Sequence, residues 1–231
     1  MLIDLNCDLG EGAGSDAEVL PLITTANVAC GFHAGDAATA FATVTNSAGL
    51  GVRVGAHPGF PDRENFGRRE LVRSERQVYE DCVYQIGALA GIARACGTKL
   101  SHVKPHGALY NMACRDDRYG RPVVAAAALF GLPLLGLPGS LLEVLSSGKC
   151  PFFAEGFADR GYRPDGSLVP RTEAGAFVED AAEAVRQALM LVRVRGVRTL
   201  CVHGDNPQAL AFVRALRDGL TAAGFEIRPF A

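Results

Sequence analysis

Short β-branched or aliphatic runs alternate along the chain with longer stretches of helical period, the pattern of parallel strands joined by crossover helices. Strands are predicted at residues 2–6, 26–30, 52–56, 100–104, 133–137, 152–155, 199–202 and 225–229. Ser74 and Gln77 have capping-box spacing, and behind them Val78, Cys82, Ile86, Leu89 and Ala93 recur on one helical face, so a long helix is predicted from Ser74. Residues 178–192 and 207–220 show the same period. Asp36 is read as the N-cap of the helix that follows it, and Asp205 precedes Asn206-Pro207, a second helix start.

Eight strands with about seven helices between them suit a single (β/α) barrel, irregular and seven- or eight-stranded, spanning one domain over residues 1–231. The strand ends argue for closure. Asn6 and Asp8, His33 and Asp36, His57, Lys104 and His106, Glu155 with Asp159 and Arg160, and His203 with Asp205 all fall where strands stop. A parallel barrel brings such positions together on its C-terminal rim, whereas an open sheet converges only those at its switch point. The two longest irregular stretches, 57–72 and 158–176, are long enough to be binding loops.

Composition narrows the function. A net charge of -2 and a pI near 6.2 give no basic footprint for nucleic acid. Seven scattered cysteines without a Cys-x-x-Cys pair suit a reducing, cytoplasmic setting. Asp4 and Asp8 stand where a signal peptide would be positive, and the longest apolar run, 123–138, is broken by two glycines and two prolines, so no membrane span is expected.

Four of the five histidines, His33, His57, His106 and His203, lie in strand-end loops, and strand alternation puts the fifth, His102, on one face with Lys104 and His106. Two chemistries fit this set. Histidines with Asp8 can hold a divalent metal that activates water; alternatively, the same residues with Lys104 form a metal-free acid/base and anion-binding site. Spacing does not choose, because the chain has no His-x-x-x-His or His-Glu-x-x-His pair. Asp8 and Glu155 are placed just after strands and shortly before glycine, where backbone can approach a ligand. An interior Lys104 needs an anionic partner, either Asp8, Glu155 or a ligand. No phosphate-binding loop is present: Gly148-Lys149-Cys150 lacks the earlier glycine and the following Ser/Thr, and Ser15 replaces the third glycine of a dinucleotide fingerprint.

In order and spacing, Asp4-Leu5-Asn6-Cys7-Asp8-Leu9-Gly10-Glu11, Ala26-Asn27-Val28-Ala29-Cys30-Gly31-Phe32-His33-Ala34-Gly35-Asp36 and Gly55-Ala56-His57-Pro58-Gly59-Phe60-Pro61-Asp62 resemble the LamB/YcsF family. Phe66-Gly67-Arg68-Arg69, Val103-Lys104-Pro105-His106-Gly107-Ala108-Leu109-Tyr110-Asn111, Pro164-Asp165-Gly166 to Arg171 and Val202-His203-Gly204-Asp205 continue the resemblance over essentially the whole chain. The loop between Gly12 and Asp16 is shorter than the family's. The resemblance implies a barrel related to the glycoside hydrolase/deacetylase group, acting as the A component of a 5-oxoprolinase in which ATP hydrolysis drives 5-oxo-L-proline to L-glutamate. It also implies partner subunits B and C, one of which can carry the ATP site. On that reading Asp8, His33, His57, Lys104, His106 and His203 are the catalytic candidates, and Asn6, Glu11, Glu155, Asp159, Arg160, Arg171 and Asp205 the substrate-binding ones.

Overall fold

The computed structural model describes residues 1–12, 14, 16–203 and 209–230, without the side chains of His203 and Ala209. Asp205, expected at the site, lies outside the described residues. The strands are β1 (Leu2–Leu9), β2 (Thr25–Ala29), β3 (Arg53–His57), β4 (Leu100–Val103), β5 (Leu134–Gly136), β6 (Phe152–Phe157), β7 (Thr199–His203) and β8 (Glu226–Ile227). The helices are α1 (Asp16–Val19), α2 (Ala37–Gly49), α3 (Glu75–Ala95), α4 (Gly107–Arg115), α5 (Asp117–Leu129), α6 (Leu141–Ser146), α7 (Ala181–Arg195) and α8 (Ala209–Ala222). No helix is long and apolar enough to cross a membrane among the described residues.

Seven parallel strands close into a ring, because β1 pairs with β7 on one side and β2 on the other. The eighth predicted strand forms but does not join the ring. It pairs with Leu2 and Ile3 at the base of β1. The Ile3 carbonyl accepts the Arg228 N–H (3.0 Å) and the Leu5 carbonyl accepts the Thr24 N–H (2.9 Å). Carbonyls two residues apart point to the same strand edge, so β8 occupies only the portion of that edge below β2.

The apolar core is a shell between the ring and its helices. Ile3, Leu5, Cys7 and Leu9 of β1 face outward, as do Ala26 and Val28, Val54 and Ala56, and Leu200 and Val202. They meet Val78, Cys82, Ile86, Leu89 and Ala93 of α3, the face predicted from period, and Phe212, Val213, Leu216 and Leu220 of α8. Full burial of one such Leu, Ile or Phe side chain contributes roughly 1.5–3 kcal/mol. Ser74 caps α3 in the expected reciprocal capping box, and Asp36 accepts the Thr39 N–H to cap α2.

The lumen inside this shell is polar. Alternate residues of β1, namely Asp4, Asn6 and Asp8, point into it with Thr25 and Asn27, His102, Glu155 and Thr199, all buried. Each polar residue finds partners across the ring. Thr24, Thr25 and Thr199 hydroxyls donate to Asp4, the Asn6 amide donates to Thr199 (2.6 Å), and the Asn27 amide donates to Asn6 (2.7 Å) and Asp8 (2.8 Å). The Phe230 ring meets His102 and Phe153, with ring centres 5.4 and 4.6 Å away. Asp8 and Glu155 thus lie within β1 and β6, not after them as their sequence neighbourhoods suggested. Strands that carry a polar lumen continue through the functional residues, so polarity does not mark where they end.

Candidate active site

Lys104, one residue beyond β4, sits at the centre of the lumen with its ammonium 2.8 Å from Asp8 Oδ1 and 2.9 Å from Glu155 Oε1. It also donates to Asn6 Oδ1 at 3.3 Å and Cys201 Sγ at 3.0 Å. Burial opposes a charge there, but Asp8 leads the attractions that more than offset it, and the Lys104 pKa is held well above its ordinary value. Burial likewise pushes the neighbouring Cys201 thiol well up. The anionic partners expected for an interior lysine are therefore Asp8 and Glu155 together.

Above Lys104, Glu11 from the loop after β1, His33 from the loop after β2, His57 at the end of β3 and His106 from the loop after β4 converge, all buried. Glycines make room for the rings. A Cβ on Gly59 would stand 2.6 Å from His33 Nδ1, one on Gly67 would stand 2.7 Å from His33 Cβ and 3.0 Å from His106 Cδ2, and one on Gly55 would stand 2.0 Å from the His102 ring. Buried Gln85 of α3 both donates to and accepts from the Gly59 backbone at 2.9 Å, locking that loop against His33. The His33 and His106 rings stack at 3.7 Å.

Backbone carbonyls define which ring nitrogens carry hydrogen. His57 Nδ1 donates to the Lys104 carbonyl (2.7 Å), and His106 Nε2 donates to the Phe66 carbonyl (2.8 Å). In neutral rings this leaves lone pairs on His57 Nε2 and His106 Nδ1, which face each other at 3.0 Å. Glu11 Oε1 lies 3.1 Å from His33 Nε2, 3.3 Å from His106 Nδ1 and 3.7 Å from His57 Nε2, and Asp8 Oδ2 lies 3.3 Å from His57 Nε2. So many acceptors around one point require a shared proton or cation.

These donors fit a metal. A tetrahedral ion with bonds of about 2.0–2.1 Å separates its ligands by about 3.3–3.4 Å; the three Glu11–histidine separations and that between His57 and His106 run from 3.0 to 3.7 Å. The donor atoms of Glu11, His33, His57 and His106 all lie within 4.8 Å of one another. His57 and His106 also have the outer hydrogen bonds that orient metal-ligating imidazoles, whereas His33 Nδ1 has no partner among the described residues. The protonation pattern agrees with lone-pair donors at His33 and His106, though not at His57. Burial, then repulsion from His106, lowers the His33 pKa to about 3, and burial also lowers that of His106. Burial works against a charged His57 too, but attraction to Asp8 overcomes it and raises its pKa. Glu11 is held well below the usual carboxylate range, burial being outweighed by its contacts with His106 and His33.

The remaining predicted residues form a second group. Asp159 and Arg160 follow β6 and are buried. Arg160 donates to the carbonyls of Ala176 (2.9 Å) and Val169 (2.6 Å), tying down the 161–177 loop, and burial followed by repulsion from Arg171 lowers its pKa to about 10. Arg160 and Arg171 each lie 5.3 Å from the Phe177 ring. The backbone of His203 ends β7 in register with Asp8. Sequence reasoning missed Asn27, Thr199, Gln85 and Phe66. Asn27 and Thr199 sit in alternation with apolar neighbours, a signal readable once a polar lumen is considered.

Fold and site together define a closed parallel α/β barrel with a polar lumen and a carboxylate–histidine centre at the C-terminal ends of its strands. Residues 3–231 match the LamB/YcsF family. The chain is 42% identical to the lactam utilization protein of Thermus thermophilus, with 99% of each chain covered and a TM-score of 0.89. At the level of fold alone it is similar to a putative cellobiose-phosphate cleavage protein of Enterococcus faecalis, at 11% identity, TM-score 0.62 and coverage of 99% and 97%. It is also similar in fold to a family 4 carbohydrate esterase of Streptomyces lividans, at 13% identity, TM-score 0.53 and coverage of 98% and 91%. The chain belongs to the LamB/YcsF family.

Proposed function

We propose that this chain is the A component of an ATP-dependent 5-oxoprolinase, opening the lactam 5-oxo-L-proline to L-glutamate together with partner subunits B and C. The observation that carries this reading is Asp8, whose Oδ1 is held by Lys104 and Asn27 while Oδ2 faces His57 at 3.3 Å. A carboxylate fixed on one oxygen and turned toward an imidazole on the other is built to accept a proton. Family membership and the 42% identity to a protein named for lactam utilization supply the substrate class.

A five-membered lactam is an unstrained, resonance-stabilised amide, so its opening needs an activated oxygen. Transfer of the ATP γ-phosphoryl group to the ring oxygen supplies that activation and releases ADP. Water then adds to the ring carbon and gives its proton to Asp8 or His57. The C–N bond breaks, the nitrogen takes up a proton, and the resulting acyl phosphate is hydrolysed by a second water to glutamate and phosphate. His33, His106 and His203 serve as proton donors or orienters. Lys104 keeps the Asp8 charge in place, Arg160 and Arg171 face the substrate carboxylate or phosphoryl oxygens, and Asn6, Glu11, Glu155 and Asp159 complete the polar lining. The chain has no recognised nucleotide motif, which favours an ATP site on a partner.

The facing lone pairs of His57 and His106 favour a second reading, a metal-dependent amidohydrolase that acts alone. Glu11, His33, His57 and His106 would hold the ion. When bound, a divalent ion supplies Lewis-acid polarisation of a carbonyl or water. Glutamate formation from 5-oxoproline, measured with and without ATP, partner subunits and chelator, separates the readings. The first expects turnover only with ATP and both partners. ATP-independent turnover by this chain alone, lost on chelation, would replace it with the second.

A further inference from the structure

Phe66 holds φ 54° and ψ 35°, and among the described residues it is the one non-glycine residue in the left-handed region. It follows a short turn at Arg63–Asn65 that closes with the Phe66 N–H on the Arg63 carbonyl (3.2 Å) and the Gly67 N–H on the Asp62 carbonyl (2.8 Å). That pair of bonds is the Schellman arrangement, whose left-handed position glycine usually fills. The turn ends against the site. The Phe66 carbonyl accepts from His106 Nε2 at 2.8 Å, and the Gly67 carbonyl accepts the Ala108 N–H at 3.0 Å, fixing the turn to the start of α4. The Phe66 ring lies edge-on to His33 and His106, with centres 5.9 and 5.6 Å away, and under the Arg68 guanidinium at 4.7 Å.

We propose that the left-handed turn at Phe66 is a positioning device that fixes His106 as its Nε2–H tautomer, so that Nδ1 presents its lone pair to the centre shared with Glu11, His33 and His57. A carbonyl can only accept, so its placement dictates which nitrogen keeps the hydrogen. The peptide is aimed by the φ and ψ of Phe66, not by its ring. The consequence for metal binding rests on the reading of that centre as a metal site, whereas the tautomer assignment does not.

Backbone and ring roles predict opposite orders of damage. Glycine adopts the left-handed turn freely but removes the ring; valine keeps apolar bulk but resists the turn because it is β-branched. The experiment uses the full chain labelled with ¹⁵N-histidine at one neutral pH, reading the His106 tautomer from the two ring-nitrogen shifts and metal affinity by titration with cobalt(II). Phe66→Gly should keep the Nε2–H pattern and bind cobalt within about threefold of wild type. Phe66→Val should mix the two tautomers and weaken cobalt binding about tenfold or more, the scale of losses when a ligand's outer hydrogen bond is removed. A valine variant indistinguishable from wild type, or a glycine variant that loses the tautomer, would overturn the proposal. Should Phe66→Val fail to fold, hydrogen on His106 Nδ1 in wild type or in Phe66→Gly would overturn it, and Nε2–H in both would uphold it. If His106 shows the expected tautomers while no chain binds cobalt, the metal reading falls and the positioning role of Phe66 stands.

Discussion

Lys104 lies between Asp8 and Glu155 where water does not reach, so removing its charge leaves two carboxylates close together without compensation. Breaking a buried pair in this way costs about 3–5 kcal/mol. Lys104→Met should therefore lower urea-denaturation stability by that order, and adding Glu155→Gln should restore part of it by removing one stranded charge. Stability unchanged or improved in Lys104→Met would show that the ion triad is not needed for folding. At the base of the lumen, burial raises the Asp4 pKa from 3.8 to about 6 against the hydrogen bonds of Thr199, Thr24 and Thr25. Its folded pKa exceeds the unfolded one, so its contribution to stability is complete below about pH 4 and is lost as pH rises through about 6. Between pH 4.5 and 7.5 the stability difference between wild type and Asp4→Asn should shift against wild type by on the order of 2 kcal/mol. Parallel stability curves for the two proteins over that range would contradict the assignment.

At the scale of the elements, all eight strand runs and the α3 cap were readable because outward-facing aliphatic residues and the Ser74–Gln77 pair mark them locally. Their ends were less readable. β1 runs on to Leu9 because Asp8 and Asn6 point into a polar lumen, and a strand with that interior shows no drop in polarity where it stops. The convergence of Asp8, His33, His57, Lys104, His106 and Glu155 followed from barrel closure, since each falls near a strand end, and Glu11 joins them from the loop after β1. The left-handed Phe66 and the ring-shaped spaces over Gly55, Gly59 and Gly67 did not, because they depend on contacts between residues distant in sequence. Gly55 tests this packing. Its Cβ would stand 2.0 Å from the His102 ring, so Gly55→Ala should cost about 3 kcal/mol or more. In Gly55→Ala/His102→Ala the loss should be smaller than the sum of the single losses, because the clash is gone. Additive losses in thermal unfolding would place the strain elsewhere.

For the whole molecule, the division between an apolar shell and a polar lumen places stability in one layer and chemistry in the other. The shell between strands and helices holds the ring closed, while the lumen and its rim carry the buried charges. The β8 strand and Phe230 sit at the opposite end from Glu11, His33, His57 and His106, leaving the rim to the loops after β1, β2, β3, β4 and β6. The proposed chemistry happens in this lumen, and Asp8→Asn tests that most directly because it preserves shape while removing the proton acceptor. Glutamate formation from 5-oxoproline and ATP should be measured after reconstitution with the proposed partner subunits B and C, once assembly with the variant has been verified. The account predicts a fall of about 10²–10⁴-fold, the range supplied by a positioned general base. Turnover within a few fold of wild type in the assembled complex would contradict it and move the chemistry to one of the partners.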